Sequence, residues 1–198
     1  DVHLTLYLHL NMMNMKLSRA NGLLSKLRYY CSPQLTRTSY FAIFESHLRY
    51  GCQIWGQSKS QIFKEIEALQ KKAIRIISFN RRNAPTMPIF KELKIMSLSQ
   101  HIQLENTILT YKCIKKEVPK CLLNLFDLVC NQHHHNTRSA ISEKMKLPTV
   151  RTTHYGLNSI AYKSAKDWNK LQLTLNIEQN NSNITKYTFT KAIKSIFF

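Results

Sequence analysis

The segment over about residues 59–79 has the strongest helical pattern in this chain, and it constrains the fold more than any other stretch. At about 100° per residue, six apolar side chains fall on one side of a helix: Ile62, Ile66, Leu69, Ala73, Ile76 and Ile77. Four cations align on the opposite side: Lys64, Lys71, Arg75 and Arg82. The pattern predicts a helix with one packed face and one basic face.

Local start and stop signals frame this helix and the one before it. Ser32 followed by Pro33 is an N-cap with proline at the first helical position, where the missing N–H has no intrahelical partner to lose. Gly51 supplies the left-handed residue that commonly ends a helix. Ser58 and Gln61 have the spacing of a capping box. The sequence therefore predicts two consecutive helices with a turn between them.

The beginning of the chain has a different period. Val2, Leu4, Leu6, Leu8 and Leu10 alternate with His3, Thr5, Tyr7 and His9. This period-2 pattern is typical of a half-buried strand, and we predict a short N-terminal strand here. From residue 12 to residue 30 the apolar spacing becomes helical, and basic residues surround it: Lys16, Arg19, Lys26 and Arg28. A basic helix is predicted over this segment.

Shorter helical patterns follow a break at residues 81–88, where Pro85 and Pro88 each disfavour helix in the preceding residue. Ser97 and Gln100 repeat the capping box before a helix that ends near Cys113. Further helices are predicted over residues 121–129, 160–171 and 185–197.

Few periodic apolar residues occur between the first and second of these, so residues 131–158 are predicted to be irregular. The expected fold is mainly α, with helical bundle subdomains joined by an irregular segment and a short N-terminal strand. We expect two domains, residues 1–82 and 83–198.

The charge of the chain bears on its partners. With 29 Lys and Arg against 11 Asp and Glu, the formal net charge is +18. Such an excess favours a polyanion, because each neutralised phosphate of a nucleic acid releases condensed counterions. An anionic membrane surface is the alternative partner. No apolar run approaches the roughly 20 residues of a transmembrane segment, so none is expected.

The cysteines bear on the compartment. Five of them are scattered along the chain, which favours reduced thiols over a disulfide framework. We therefore expect an intracellular protein, cytoplasmic and nuclear. Because residue 1 is Asp rather than Met, we also expect a fragment of a longer protein.

Catalytic patterns are not found in the sequence. Nucleotidyl transfer needs at least two carboxylates that converge on metal ions. The aspartates are only Asp1, Asp127 and Asp167, without an Asp-Asp pair. Four glycines cannot build a phosphate-cradling loop. We expect this chain to lack polymerase activity on its own and to hold no cofactor.

A zinc site is the remaining metal alternative. Its ligands would be Cys113, Cys121, Cys130 and the histidines at 133–135, since thiolates and imidazoles suit zinc. The gaps of seven and eight residues between the cysteines are wider than in compact zinc motifs. Buried thiols with a solvated histidine run are therefore the favoured interpretation.

The basic stripe is the leading candidate for a binding site. A solvated face is the usual role of charge on an amphipathic helix, but this stripe is almost purely of one sign and agrees with the whole chain. The predicted nucleic-acid contacts are Lys64, Lys71, Lys72, Arg75, Arg81, Arg82, Arg138 and Arg151. Trp55 and Trp168 could stack on bases, yet a core position is favoured for both.

Several short sequence motifs occur in an order that resembles the order found in one protein family. They are Lys16-Leu17-Ser18-Arg19, Gly22-Leu23-Leu24-Ser25-Lys26-Leu27-Arg28, Tyr50-Gly51, Trp55-Gly56, Gln70-Lys71-Lys72-Ala73-Ile74-Arg75, Tyr111-Lys112, Thr137-Arg138, Arg151-Thr152, Tyr155-Gly156 and Trp168-Asn169. Together they resemble the region after the palm in reverse transcriptases of LINE-type (non-LTR) retrotransposons, of the jockey and CR1-like groups. Each motif alone is weak evidence for the family, and the specific signal is the order in which the motifs occur together.

The resemblance implies a place within a larger enzyme, an RNA-directed DNA polymerase that uses magnesium. The chain would be its thumb-like and C-terminal part, which grips RNA, an RNA/DNA hybrid or DNA duplex through the backbone. The partner within the polyprotein would be the upstream palm, which holds the catalytic aspartates. The first ten residues depart from the family pattern. A free-standing basic helical protein that binds a partner groove or acidic lipid is the alternative.

Overall fold

The structure, a computed structural model, describes residues 6–57, 61–127, 144–152, 156–175 and 185–198. Over these residues the protein is mainly helical, without strand or sheet, which confirms the predicted mainly α class. The chain divides into two compact units, residues 1–101 and residues 102–198.

Most helices of the first unit are joined by short connections. They are α1 (Tyr7–Tyr30), α2 (Pro33–Ser39), a π-helical turn (Tyr40–Glu45), α3 (Ser46–Arg49), α4 (Cys52–Trp55), α5 (Gln61–Ile77) and α6 (Thr86–Glu92). The next helix, α7 (Leu98–Ile114), begins in the first unit and continues into the second. The boundary expected after residue 82 falls inside the first unit, where α6 packs against α5.

The predicted N-terminal strand is wrong for residues 7–10, which form the first turn of α1. Helical spacing places Leu10 fully inside the core, whereas Leu8 is 75% exposed. In a strand both leucines would face the same side. Packing of α1 against α5 overrides the local alternation. The other half of the predicted strand, residues 2–5, lies outside the described residues.

The contact between α1 and α5 forms the centre of the first unit. Leu10, Leu17 and Leu24 of α1 are completely buried, and burying a leucine side chain contributes about 1.5–3 kcal/mol. Asn21 donates a hydrogen bond from Nδ2 to the carbonyl oxygen of Leu69 at 3.0 Å. This bond fixes how the two helices pack along their length.

Residues 33–49 are helical throughout, and their predicted cap is present. Ser32 accepts a hydrogen bond on its hydroxyl from the Leu35 N–H at 3.4 Å. The middle of this stretch widens into the π-helical turn, where the rings of Tyr40 and Phe44 stack with their centroids 5.4 Å apart. Gly51 then adopts a positive φ of 60° and ends the segment, as predicted.

The second unit contains the remainder of α7 together with α8 (Lys120–Leu123), α9 (Ile160–Leu175) and α10 (Lys186–Phe197). The helix predicted over residues 121–129 is shorter than expected, because it ends at Leu123. Phe189 joins α10 to its neighbours: its ring centroid lies 4.4 Å from that of Tyr111 and 5.9 Å from that of Trp168. These aromatic rings form the core of the second unit.

The predicted irregular segment is confirmed where the structure describes it, at residues 144–152 and 156–158. It is held by one side chain of α9. Asn169 accepts a hydrogen bond from the Met145 N–H at 2.8 Å and donates one to the Met145 carbonyl at 2.9 Å. These two bonds satisfy both backbone polar groups of Met145 and so keep the non-helical stretch against α9.

Candidate nucleic-acid interface

The outer face of α5 carries the two lysines that the sequence places in its basic stripe. Lys64 and Lys71 are both exposed, and their Cα atoms are separated by about 10 Å along a helix that rises 1.5 Å per residue. Neither side chain has a hydrogen bond or ion pair with another residue that the structure describes. Lys72, on the flank of the same helix, is exposed and equally unengaged. These three ammonium groups are available to an external anion.

Arg75 has a partner within the chain that the sequence did not indicate. Its Nε donates a hydrogen bond to the carbonyl oxygen of Ala84 at 2.9 Å. The N–H of Ala84 in turn donates to the carbonyl of Arg81 at 3.1 Å and closes a turn. Arg75 therefore positions the turn that follows α5, and its guanidinium is half-buried rather than fully exposed.

Arg82 does not continue the stripe of α5. The helix ends at Ile77, and Phe79 has a positive φ of 58°, which turns the chain away from the helix axis. Arg81 and Arg82 are consequently exposed residues of the turn, and their side chains have no partner among the described residues. They remain candidate phosphate contacts, but on a different surface from the one that helical spacing suggested.

Helix α1 adds exposed cations that were not among the predicted contacts. Lys16, Arg19 and Lys26 are exposed and make no hydrogen bond or ion pair with other described residues. Arg28 is different, because its guanidinium lies 5.1 Å from the centre of the Phe79 ring. The basic spacing of residues 12–30 was the sequence signal that could have identified the first three.

The two remaining predicted contacts belong to the second unit. Arg151 is exposed in the irregular segment. Arg138 lies outside the described residues. The structure therefore brings together Lys64, Lys71 and Lys72 on one helix and places Arg81 and Arg82 in the turn after it.

One aspartate in the described part of the chain, on α9, is hydrogen-bonded within the chain. Asp167 accepts a hydrogen bond from Asn106 Nδ2 at 2.9 Å. Burial raises the pKa of Asp167, and the bond from Asn106 and nearby lysines oppose that shift. Among the residues that the structure describes, no three His, Cys, Asp or Glu side chains are grouped closely enough to hold a metal ion.

The candidate zinc ligands are only partly described. Cys113 is buried and points its Sγ at the carbonyl oxygen of Leu122, 3.8 Å away. Burial raises the pKa of the Cys113 thiol, which disfavours the thiolate form that binds metal. Cys121 is exposed. Cys130 and the histidines at 133–135 lie outside the described residues.

Both tryptophans belong to the core, as predicted. Trp55 is 1% exposed and Trp168 is 2% exposed. The indole Nε1 of Trp55 donates to the carbonyl oxygen of Tyr50 at 2.8 Å, across the turn at Gly51. Neither indole is available to stack on a base in this conformation.

Three buried polar side chains of the first unit were missed by the sequence analysis. Gln70 lies on the apolar side of α5 and is 2% exposed, which its angular position about 20° from Ile77 could have revealed. Glu45 and His101 meet in the core of the first unit, with Oε1 and Nε2 3.5 Å apart.

Two further observations concern the whole chain. No helix in the described part of the chain is long and apolar enough to cross a membrane. Comparison with protein-family models, with curated proteins and with solved structures finds no match.

Proposed function

We propose that this chain is the post-palm segment of a LINE-type reverse transcriptase and grips the backbone of RNA, an RNA/DNA hybrid or DNA duplex without catalysing a reaction. The proposal rests on the order of the family-like sequence motifs and on the net charge of +18. The observation that carries the binding role is the set of unengaged lysines on α5, Lys64, Lys71 and Lys72.

The chemistry of these groups favours backbone contact over base readout. A lysine ammonium acts as a point charge towards a phosphate, without the planar fork that matches guanine in a groove. Phosphate contacts position a protein on nucleic acid but carry no sequence information. The expected activity is therefore binding that depends strongly on salt and weakly on sequence.

A salt titration with fluorescently labelled duplex tests the proposal. The logarithm of the affinity should fall linearly with the logarithm of salt concentration. Replacing Lys71 and Lys72 with glutamine should reduce the slope by about 1.8, since each phosphate contact contributes about 0.9 on B-form DNA. The matched control removes the same charge at Lys91 and Lys191, which are exposed on other helices.

The result that contradicts the proposal is equally clear. A flat salt dependence, or no binding at low salt, would exclude backbone gripping. If the control variant reduces the slope as much as the α5 variant does, then net charge is responsible and the α5 surface is not a site. Primer extension by the isolated chain should yield no product.

A second candidate function, binding to an anionic membrane surface, is favoured by one observation. The solvent side of α1 carries four exposed apolar residues, Leu8, Met12, Met15 and Leu23, each at least half exposed. Arg19 lies among them on the same side of the helix. Apolar and basic groups together are typical of helices that lie in a membrane interface. This function predicts binding to anionic vesicles in preference to duplex.

A further inference from the structure

A groove opens in the first unit between the start of α1 and the end of α3. Its lining comes from two separate parts of the chain: His9, Met12, Met13, Lys16, His47 and Tyr50. Its cavity volume is about 280 Å³, just below the range of roughly 300–1,000 Å³ for small-ligand sites. We refer to these six residues as the α1–α3 groove.

The sequence builds one wall from a single stripe of α1. His9, Met13 and Lys16 follow each other at intervals of four and three residues, so they lie on one side of the helix. Met13 is buried and anchors the wall, whereas Lys16 is exposed. This wall therefore has an apolar floor with a cation at its C-terminal end.

The other wall is an aromatic ring on a fixed backbone. The carbonyl oxygen of Tyr50 accepts the hydrogen bond from the buried Trp55 indole at 2.8 Å, and Gly51 follows in its left-handed conformation. The Tyr50 side chain is nevertheless 75% exposed. Because the backbone of Tyr50 is fixed while its ring is exposed, a flat ligand can stack on the ring with little loss of conformational entropy.

The polar groups of the lining select the charge of that ligand. Lys16 is a cation, and His9 and His47 add imidazole groups, while none of the described residues that line the groove carries a carboxylate. Imidazole N–H groups donate hydrogen bonds to phosphate oxygens even when the ring is neutral. The ligand should therefore combine an aromatic face with a phosphate.

We propose that the α1–α3 groove holds one nucleotide of a single-stranded nucleic acid. The base stacks on the Tyr50 ring above the methionine side chains. The phosphate is bound by Lys16 with His9 and His47. Stacking suits a single strand, because every base presents a π face once it leaves a duplex. The assignment rests on the proposed function and adds a second surface to it, specific for unpaired nucleotides.

Methyl groups inside the groove report on occupancy directly. The chain has six methionines, so a protein labelled with ¹³C at the methionine methyl groups gives few, assignable signals. Adding an eight-nucleotide oligo-dT should shift Met12 and Met13, whereas Met87 and Met96 should stay unchanged. Equal shifts at Met87, or none at Met12 and Met13 when the strand is bound, would overturn the assignment. So would equal shifts at Met12 and Met13 on adding poly-glutamate, because any polyanion would then fill the groove.

Exchanging the ring measures its contribution to affinity. Tyr50→Ala should weaken binding of oligo-dT about 5- to 100-fold, as expected for loss of one base–aromatic stack. Tyr50→Phe, which keeps the stacking surface, should remain within about two-fold of the unmodified protein. Tyr30→Ala is the matched control, because Tyr30 is 88% exposed and lies outside the groove.

The two proposals fail separately in this design. If Tyr50→Ala binds oligo-dT as tightly as the unmodified protein, the groove assignment is excluded whatever happens with duplex. If replacing Lys71 and Lys72 leaves the duplex salt slope unchanged, the backbone-gripping function is excluded instead. Tyr50→Ala should leave duplex affinity within about two-fold, and a larger loss would contradict specificity for single strands.

Discussion

Gln70 connects three parts of the first unit, and its replacement by leucine would remove all three connections. Its Nε2 donates to the Tyr40 hydroxyl at 3.2 Å and to the Met96 carbonyl at 3.0 Å. Its Oε1 accepts from the Leu98 N–H at 2.8 Å. Leu98 is the first residue of α7, so its N–H has no partner within the helix. Gln70 therefore caps α7 from a neighbouring helix.

The magnitude follows from the groups left behind. Leucine would leave a backbone carbonyl and a backbone N–H buried without a partner, and each such group costs about 1–3 kcal/mol. The Tyr40 hydroxyl would lose its donor as well, while the leucine side chain would recover about 1 kcal/mol through burial. We expect Gln70→Leu to lower the free energy of unfolding by about 3 kcal/mol. Against a total of about 5–15 kcal/mol, this is a large loss.

Two measurements test this expectation. Urea unfolding gives the change in stability, and hydrogen exchange at the Leu98 amide shows whether the cap is lost at the expected place. Tyr40→Phe removes only the hydroxyl contact and should cost about 1 kcal/mol. Gln34→Leu, at an exposed position of α2, should change stability by less than about 0.5 kcal/mol.

The result that would refute the reasoning is specific. If Gln70→Leu unfolds within about 1 kcal/mol of the unmodified protein and Leu98 exchanges at its original rate, the side chain does not cap α7. Water would then have to reach the N-terminus of α7, and the packing of this region would be looser than the contacts indicate.

Three further substitutions probe other parts of the chain. Gly51→Ala should destabilise the protein by about 1–2 kcal/mol in urea unfolding, because φ is 60° there while the added Cβ would meet no close contact. Asp167 should titrate above the ordinary value of 3.8 in carboxyl NMR, since burial raises its pKa. Its charged form is therefore disfavoured by folding, so its contribution to stability falls as the pH rises past 3.8, and Asp167→Asn should abolish that dependence. Arg75→Lys should cost about 1 kcal/mol, because lysine cannot reproduce the bond from Nε to Ala84.

Features encoded within a few residues could be predicted from the sequence. The Ser32 cap, the left-handed Gly51 and the Ser97–Gln100 box each depend on neighbours in the chain. The last of these is present, with the Ser97 N–H donating to Gln100 Oε1 at 2.8 Å. The capping box at Ser58 and the helix start predicted near residue 59 lie outside the described residues, and α5 is described from Gln61 to Ile77.

Features that depend on distant neighbours could not be predicted in the same way. The alternation of apolar and polar residues over positions 2–10 is locally compatible with a strand. Only packing against α5 decides that Leu10 is buried while Leu8 is exposed. The partner of Arg75 depends on how the chain turns after Phe79. The three partners of Gln70, on Tyr40, Met96 and Leu98, lie far from it along the chain, so the local sequence does not show them.

The basic residues of the first unit divide into two roles, according to whether the side chain has a partner within the chain. Arg37 donates to the carbonyl oxygen of Leu93, the C-cap of α6, at 3.0 Å, and Arg75 donates to Ala84 in the turn after α5. A guanidinium can satisfy a carbonyl at a helix end and still cover an aromatic ring, as Arg37 does over Phe41 at 5.0 Å. Arg37 and Arg75 therefore stabilise the fold through partners within the chain. The lysines of α5, more strongly hydrated, remain exposed.

This division changes how the positive charge should be interpreted. A net charge of +18 counts every cation equally, yet only those without an internal partner can release counterions from a phosphate backbone without disturbing the fold. Lys64, Lys71 and Lys72 meet this condition, and Arg75 does not. Replacing Arg75 should therefore lower stability more than it lowers the salt slope, whereas replacing the lysines should do the reverse. Measuring both quantities for each variant separates structural cations from binding cations.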